Sequence, residues 1–102
     1  MNVLTDPIGQ HVLVRTYSAG VHIGTLAAMD GKVVTLTDCR RIWRWYGALE
    51  LYAVAQRGLD PKKSTLSVVS PQITLTEAIE IHPTSAVARA SFEASEAKHE
   101  RA

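Results

Sequence analysis

Asp30-Gly31-Lys32-Val33-Val34-Thr35-Leu36-Thr37, running on through Asp38-Cys39 into Arg40-Arg41-Ile42-Trp43-Arg44-Trp45-Tyr46-Gly47, decides the fold. Asp30-Gly31 is the strongest turn signal in the chain, because both central positions of a type I′ turn need positive φ, which aspartate tolerates and glycine prefers. A hairpin is therefore expected, its returning strand rich in β-branched residues. If extended structure continues past Asp38, Arg41, Trp43 and Trp45 share one face while Arg40, Ile42 and Arg44 share the other. A bulge at Asp38-Cys39 would reset which face is buried. On the outgoing strand, Val21 and Ile23 alternate until Gly24, beyond which Leu26 takes the opposite parity, so a second irregularity belongs near Gly24.

Upstream, Val12, Val14 and Thr16 alternate with Leu13, Arg15 and Tyr17, the pattern of a strand. Downstream, residues 48–57 carry the alanine and leucine content of a helix, with Arg57 in the last turn, Gly58 as its stop and Asp60-Pro61 preventing continuation. That helix is apolar around more than one face and calls for cover on two sides, by the sheet and by a second copy of the chain. Residues 65–69 read as a short strand. Over 72–82, Ile73, Leu75, Ile79 and Ile81 form an apolar face interrupted by Glu77. A bulge that turns Glu77 outward is favoured over its burial against an arginine of the central stretch. Thr84 or Ser85 caps a short second helix reaching Phe92. Residues 1–10 read as a loose lead-in and 94–102 as a frayed tail. The expectation is one α+β domain over residues 1–102: an antiparallel sheet, one central helix, a short C-terminal helix and an obligate oligomer.

Composition narrows the function. The net charge is +1, so the arginines are a local cluster on a nearly neutral chain, which disfavours long nucleic acids that need a broad cationic footprint. The single cysteine, Cys39, excludes an intrachain disulfide and a four-thiolate zinc site and points to the cytoplasm. His11, His22, His82 and His99 lack metal-ligand spacing, so no metal or cofactor is expected. Residues 1–10 have neither the basic start nor the apolar run of a signal peptide, and no segment has the length of a membrane span.

Within the central stretch, arginine forks suit phosphate and indole faces suit a base, a combination fitted to a nucleotide-like ligand. The same residues also serve as interface anchors, with Arg40, Arg41 and Arg44 paired to acids such as Glu77 and Glu80. No nucleophile with an adjacent base and no paired carboxylates stand out, so a binding protein is expected rather than an enzyme.

Three separated motifs carry a resemblance. They are Arg15-Thr16-Tyr17-Ser18-Ala19-Gly20-Val21-His22-Ile23-Gly24, then Arg40-Arg41-Ile42-Trp43 with Trp45 and Gly47-Ala48, then Leu75-Thr76-Glu77-Ala78-Ile79-Glu80-Ile81. Together they resemble the phage Thoeris anti-defence sponge family, first type, over roughly His11 to Ser91. The resemblance implies a small oligomer, dimer or hexamer, in the cytoplasm of the infected bacterium. It would sequester cyclic ADP-ribose isomers without cleaving them, in pockets between subunits, and some members also hold cyclic oligonucleotides at a separate site. It makes Arg41 and Arg40 partners of phosphate or ribose and places Arg15, Trp43 and Trp45 at the ligand. Leu66 stands where relatives carry a bulkier base-covering residue, and Thr76 where a polar base contact occurs.

Overall fold

Three consecutive buried residues, Val12, Leu13 and Val14, cannot all face one side of a strand, so this strand is buried on both faces. The computed structural model describes residues 7–97; the expectations for residues 1–6 and 98–102, and for His99, lie outside the described residues. The elements are β1 (His11–Thr16), β2 (Val21–Asp30), β3 (Val33–Arg44), α1 (Leu51–Arg57), β4 (Thr65–Leu66), β5 (Ser70–Leu75), β6 (Ala78–Pro83) and α2 (Ala86–Ala94). The class is α+β, with a six-stranded antiparallel sheet in the order β4-β3-β2-β1-β6. β5 pairs with β3 from Val34 to Cys39, and β4 pairs with β3 at Ile42 and Arg44.

The sheet is rolled. β5 and β6 lie on opposite edges, about 19 Å apart if the sheet were flat, yet only Thr76 and Glu77 join them, a reach of about 11 Å. Two backbone bonds close the gap, Tyr17 N–H to Glu77 O at 2.9 Å and Ala78 N–H to Lys32 O at 3.0 Å. One apolar cluster lies inside the roll: Val12, Val14, Leu26, Val34, Leu36, Cys39 and Leu75, with Ile73, Ala78 and Ile81 against it. A second lies between the outer face and the helices: Leu13, Val21, Ile23, Ile42 and Leu66 meet Val54, Ala55, Leu59, Ala88 and Phe92.

The expected irregularities fall at one place. The pairing steps from Ile23↔Arg40 to Thr25↔Thr37, leaving Asp38 and Cys39 opposite Gly24. Asp38 takes φ +48, the single positive φ among the described non-glycine residues. The extra residue inverts the parity of β3. Val34 and Leu36 face the inner cluster before the bulge, Cys39 after it. A Cβ on Gly24 would stand 2.8 Å from Cys39 Cβ and 2.9 Å from Thr37 O, so Gly24→Ala is expected to cost about 1–3 kcal/mol by overpacking. Urea unfolding of the variant measures it.

Several boundaries differ from the sequence reading. The hairpin pairs Asp30 with Val33, so Gly31-Lys32 occupy the central positions. Only Gly31 has positive φ, which matches type II′ rather than I′. α1 begins at Leu51, not Ala48, after an N-cap, Glu50, with extended backbone and no side-chain cap. The strand expected over 65–69 is two residues long. The apolar face read over 72–82 belongs to two strands, with Glu77 turned outward at the bend between them, as expected, and accepting a hydrogen bond from the Ser18 hydroxyl, so it pairs with no central arginine. Ser85 caps α2, accepting from Ala88 N–H at 3.0 Å. The described part of the lead-in is tied down, because Gly9 N–H donates to Leu26 O and Leu26 N–H to Gln10 O. The described part of the tail is held through Ser95, which is buried, and through a bridge between Ala97 and Leu66.

Candidate functional site

Adjacent strand residues point to opposite faces, and this separates Arg40 from Arg41. Arg40 stands in the row Leu13-Ile23-Arg40, under the helices. Its Nε donates to Ser67 O at 2.8 Å, Nη1 to Phe92 O at 2.6 Å and Nη2 to Ser95 O at 2.9 Å. The last two are carbonyls at the C-terminal end of α2, where a helix leaves acceptors unpaired and favours a cation. Arg40 is therefore a tether for α2, and the expectation that it meets phosphate is corrected on that ground.

Arg41 stands one residue on, in the row Val14-His22-Arg41 on the opposite face. Its backbone is pinned both ways by Ser67: Arg41 N–H donates to Ser67 Oγ at 2.8 Å, and Ser67 N–H donates to Arg41 O at 2.9 Å. Its Nη2 donates to Ala19 O in the β1–β2 turn at 2.6 Å. The guanidinium lies 4.6 Å from the ring centre of Trp43, which remains 54% exposed. Nε and Nη1 of Arg41 take no partner among the described residues. Arg41 borders an open cleft of about 210 Å³ lined by His22, Cys39, Arg40, Arg41, Trp43, Ser67, Ser70 and Ile73.

The other polar groups of the cleft are committed. Ser67 Oγ donates to Val68 O, Ser70 Oγ to Gln72 O and Cys39 Sγ to Ser70 O. Burial, chiefly, pushes the Cys39 thiol pKa up and keeps it protonated. His22, 2% exposed, shares Ala19 O with Arg41 through Nε2 at 2.8 Å. Burial, and then the Arg41 charge, lower its pKa and keep the ring neutral at pH 7.

The remaining expected residues do not gather here. Arg15 lies on the opposite face from Arg41, exposed, and pairs with Glu80 at 3.1 Å. The hydrogen bonds from His82 and then Arg15 hold the Glu80 carboxyl below its usual pKa. Trp45 does not share the face of Arg41 and Trp43, because β3 ends at Arg44 and the indole turns back onto the core beside α1. Leu66 is fully buried in the cluster beneath the helices and has no surface for a base in this chain. Thr76 is exposed at the β5–β6 bend. Two groups escape the sequence reading: the Ala19 carbonyl and His22, which pairs across strands with Arg41. Only the register reveals that pairing.

Two further hollows among the described residues bear on this. One, about 880 Å³, lies along the outer side of residues 47–57, where Leu49 is 100% and Tyr52 63% exposed. The other, about 500 Å³, lies beside α2, between His11, Asp38, Arg89 and Glu93.

A family described as a domain of unknown function (DUF6948) matches residues 9–92. The chain belongs to that family. The match takes in the whole rolled sheet and most of α2, so the Arg41 cleft lies inside the DUF6948 domain. No curated protein and no solved structure matches it. Among the described residues, no three His, Cys, Asp or Glu side chains come together to hold a metal ion, and no helix is long and apolar enough to cross a membrane.

Proposed function

We propose that this DUF6948 domain binds a nucleotide-like phosphoester at the Arg41–Trp43 cleft and sequesters it unchanged. The observation that carries the reading is Arg41 itself. Its main chain and one nitrogen are anchored, it is stacked on an exposed indole, and it lines a cleft while keeping N–H groups that no described residue takes. A guanidinium held in this way presents donors to phosphate with little ordering left to do. The ring of Trp43 beside it suits a base. Following the resemblance, the ligand class is cyclic ADP-ribose isomers, and the setting is the cytoplasm of an infected bacterium, where the protein would quench an immune signal. A separate site for cyclic oligonucleotides belongs to the same reading.

Sequestration is favoured over turnover because the hydroxyls and the thiol of the cleft already donate to backbone carbonyls, which leaves no activated nucleophile. At about 210 Å³ the cleft takes a phosphoryl group but not a whole nucleotide, whose sites run to roughly 300–1,000 Å³. A second copy of the chain would cover the rest. Tyr46, Leu49 and Tyr52, all exposed on one segment, are the apolar surface such a contact would bury. Light scattering at micromolar concentration is expected to report a dimer or larger, and Leu49→Glu to shift it toward monomer. A monomeric parent would overturn the oligomer.

The central test is to mix excess protein with a cyclic ADP-ribose isomer, confirm loss of free ligand, then denature the protein and analyse what is released. Recovery of the same mass and retention time in the original amount is expected. A hydrolysed product that accumulates with time would overturn sequestration, and no uptake would leave an interaction module as the better reading. Arg41→Ala is expected to weaken binding by about 1–3 kcal/mol with a smaller loss of stability. Affinity should fall only shallowly with salt, since few charges are neutralised.

A further inference from the structure

We infer that His22 is the proton-coupled partner of Arg41: neutral in the free protein, it takes up a proton when an anionic phosphoester occupies the cleft, adding a second positive charge to the site. This rests on the reading of Arg41 as the anion-binding group. The geometry is specific. His22 and Arg41 face each other across β2 and β3, and both end on the same acceptor, Ala19 O, at 2.8 Å and 2.6 Å. A carbonyl oxygen has two lone pairs, and these two donors use both. To donate from Nε2, neutral His22 must be the Nε2–H tautomer, which leaves Nδ1 as the one place for an added proton. The turn that presents Ala19 is itself tied, with Thr16 Oγ1 donating to Gly20 O and accepting from Ala19 N–H. The proton-accepting ring is thereby held at a fixed place beside the guanidinium.

The charges around the ring set the sign. From β3 it meets Arg41, and it shares the cleft with Arg40 and with the protonated thiol of Cys39. From β1 its register partner is Val14, and the turn contributes Ala19, with Glu77 beyond Ser18. From the segment entering β5 comes Ser67 and from β5 itself Ser70 and Ile73, none of them charged. In the free protein, therefore, burial first and the Arg41 cation with it disfavour protonation, outweighing the bond to Ala19 O, which favours it. An anion held in the cleft beside the Arg41 guanidinium reverses the local potential and raises the affinity of His22 for a proton. By linkage, a ligand that raises a pKa binds more tightly as pH falls toward that pKa.

The test uses a cyclic ADP-ribose isomer closed through a ribose–ribose bond, whose pyrophosphate diester stays ionised from about pH 5.5 to 8. Affinity is expected to rise severalfold, toward about tenfold, between pH 7.5 and pH 5.5. Calorimetry of the unmodified protein in two buffers of different ionisation enthalpy should show proton uptake on binding near pH 6 that disappears by about pH 8. His22→Gln retains a donor for Ala19 O and cannot titrate. It is expected to lose both the pH dependence and the uptake. Should that variant fold poorly, the ring-proton shifts of His22 in the unmodified protein, titrated with and without ligand, give the same answer through a ligand-induced rise in its pKa. Binding that is flat with pH yet lost in Arg41→Ala overturns this inference alone, as does uptake that persists in His22→Gln. No binding at any pH overturns the sequestration reading and this inference with it.

Discussion

Arg40→Ala is expected to lower the unfolding free energy by about 3–5 kcal/mol, measured by urea or thermal unfolding. Hydrogen bonds from a charged donor contribute about 1.5–3 kcal/mol each, and Arg40 makes three to backbone carbonyls. They are not additive, because the three acceptors share one guanidinium. The loss also leaves Phe92 O and Ser95 O without this donor at the negative end of α2, where Phe92 anchors the helix in the core. Only a planar fork reaches Ser67, Phe92 and Ser95 together, so Arg40→Lys should recover less than half of the loss. Hydrogen exchange should locate the damage in α2. Unchanged stability together with lost ligand binding would sink the structural role of Arg40 and return it to the site.

Gly58→Ala is expected to cost about 3–4 kcal/mol. Gly58 closes α1 with φ +89 and ψ −173, a region essentially restricted to glycine, which alone costs a side-chain residue about 1–3 kcal/mol. Space is also missing. An added Cβ would lie 2.5 Å from Ser91 Oγ, 2.9 Å from Ser91 Cβ and 3.3 Å from Ala88 Cα. Ser91 cannot give way freely, because its hydroxyl donates to Ala88 O at 2.6 Å and accepts from Leu59 N–H at 3.2 Å, joining α1 to α2. Gly31→Ala is the control. Its φ is also positive, at +58, but nothing lies within 4 Å, so it should cost only the backbone share, about 1–3 kcal/mol. Equal losses at the two positions would show that backbone conformation, not the seam between the helices, decides the effect.

The acid side of the stability profile should reflect His22 and His11, both pushed below their ordinary pKa first by burial. A histidine whose folded pKa is lowered lets the unfolded chain bind protons first. Stability is therefore fully present above about pH 6.5 and declines as pH falls toward the folded values. His22→Gln should make that decline shallower. A profile that is flat from pH 7 to pH 5 would contradict the burial of the two rings.

The sequence by itself determined what local chemistry decides. β-branched alternation produced the strands, the Asp30-Gly31 region the hairpin, Gly58 the end of α1 and Ser85 the start of α2, because each depends on a few neighbouring dihedrals and hydrogen bonds. The irregularities near Gly24 and at Asp38-Cys39 were each legible too, since a parity change within a strand has few causes, but that they face each other follows only from the register. What only the tertiary structure decided is which face each side chain finally serves. Alternation says that Arg40 and Arg41 diverge, but not that one meets the carbonyls of α2 and the other the Ala19 turn, for those partners lie far along the chain or depend on register. Leu66 and Trp45 looked available for a ligand, and packing against the helices consumed them. The outward turn of Glu77 was legible from its place on an apolar face, but the rolling of the sheet and the shared hold of His22 and Arg41 on one carbonyl arise from strand pairing between distant segments, which no local window of residues encodes.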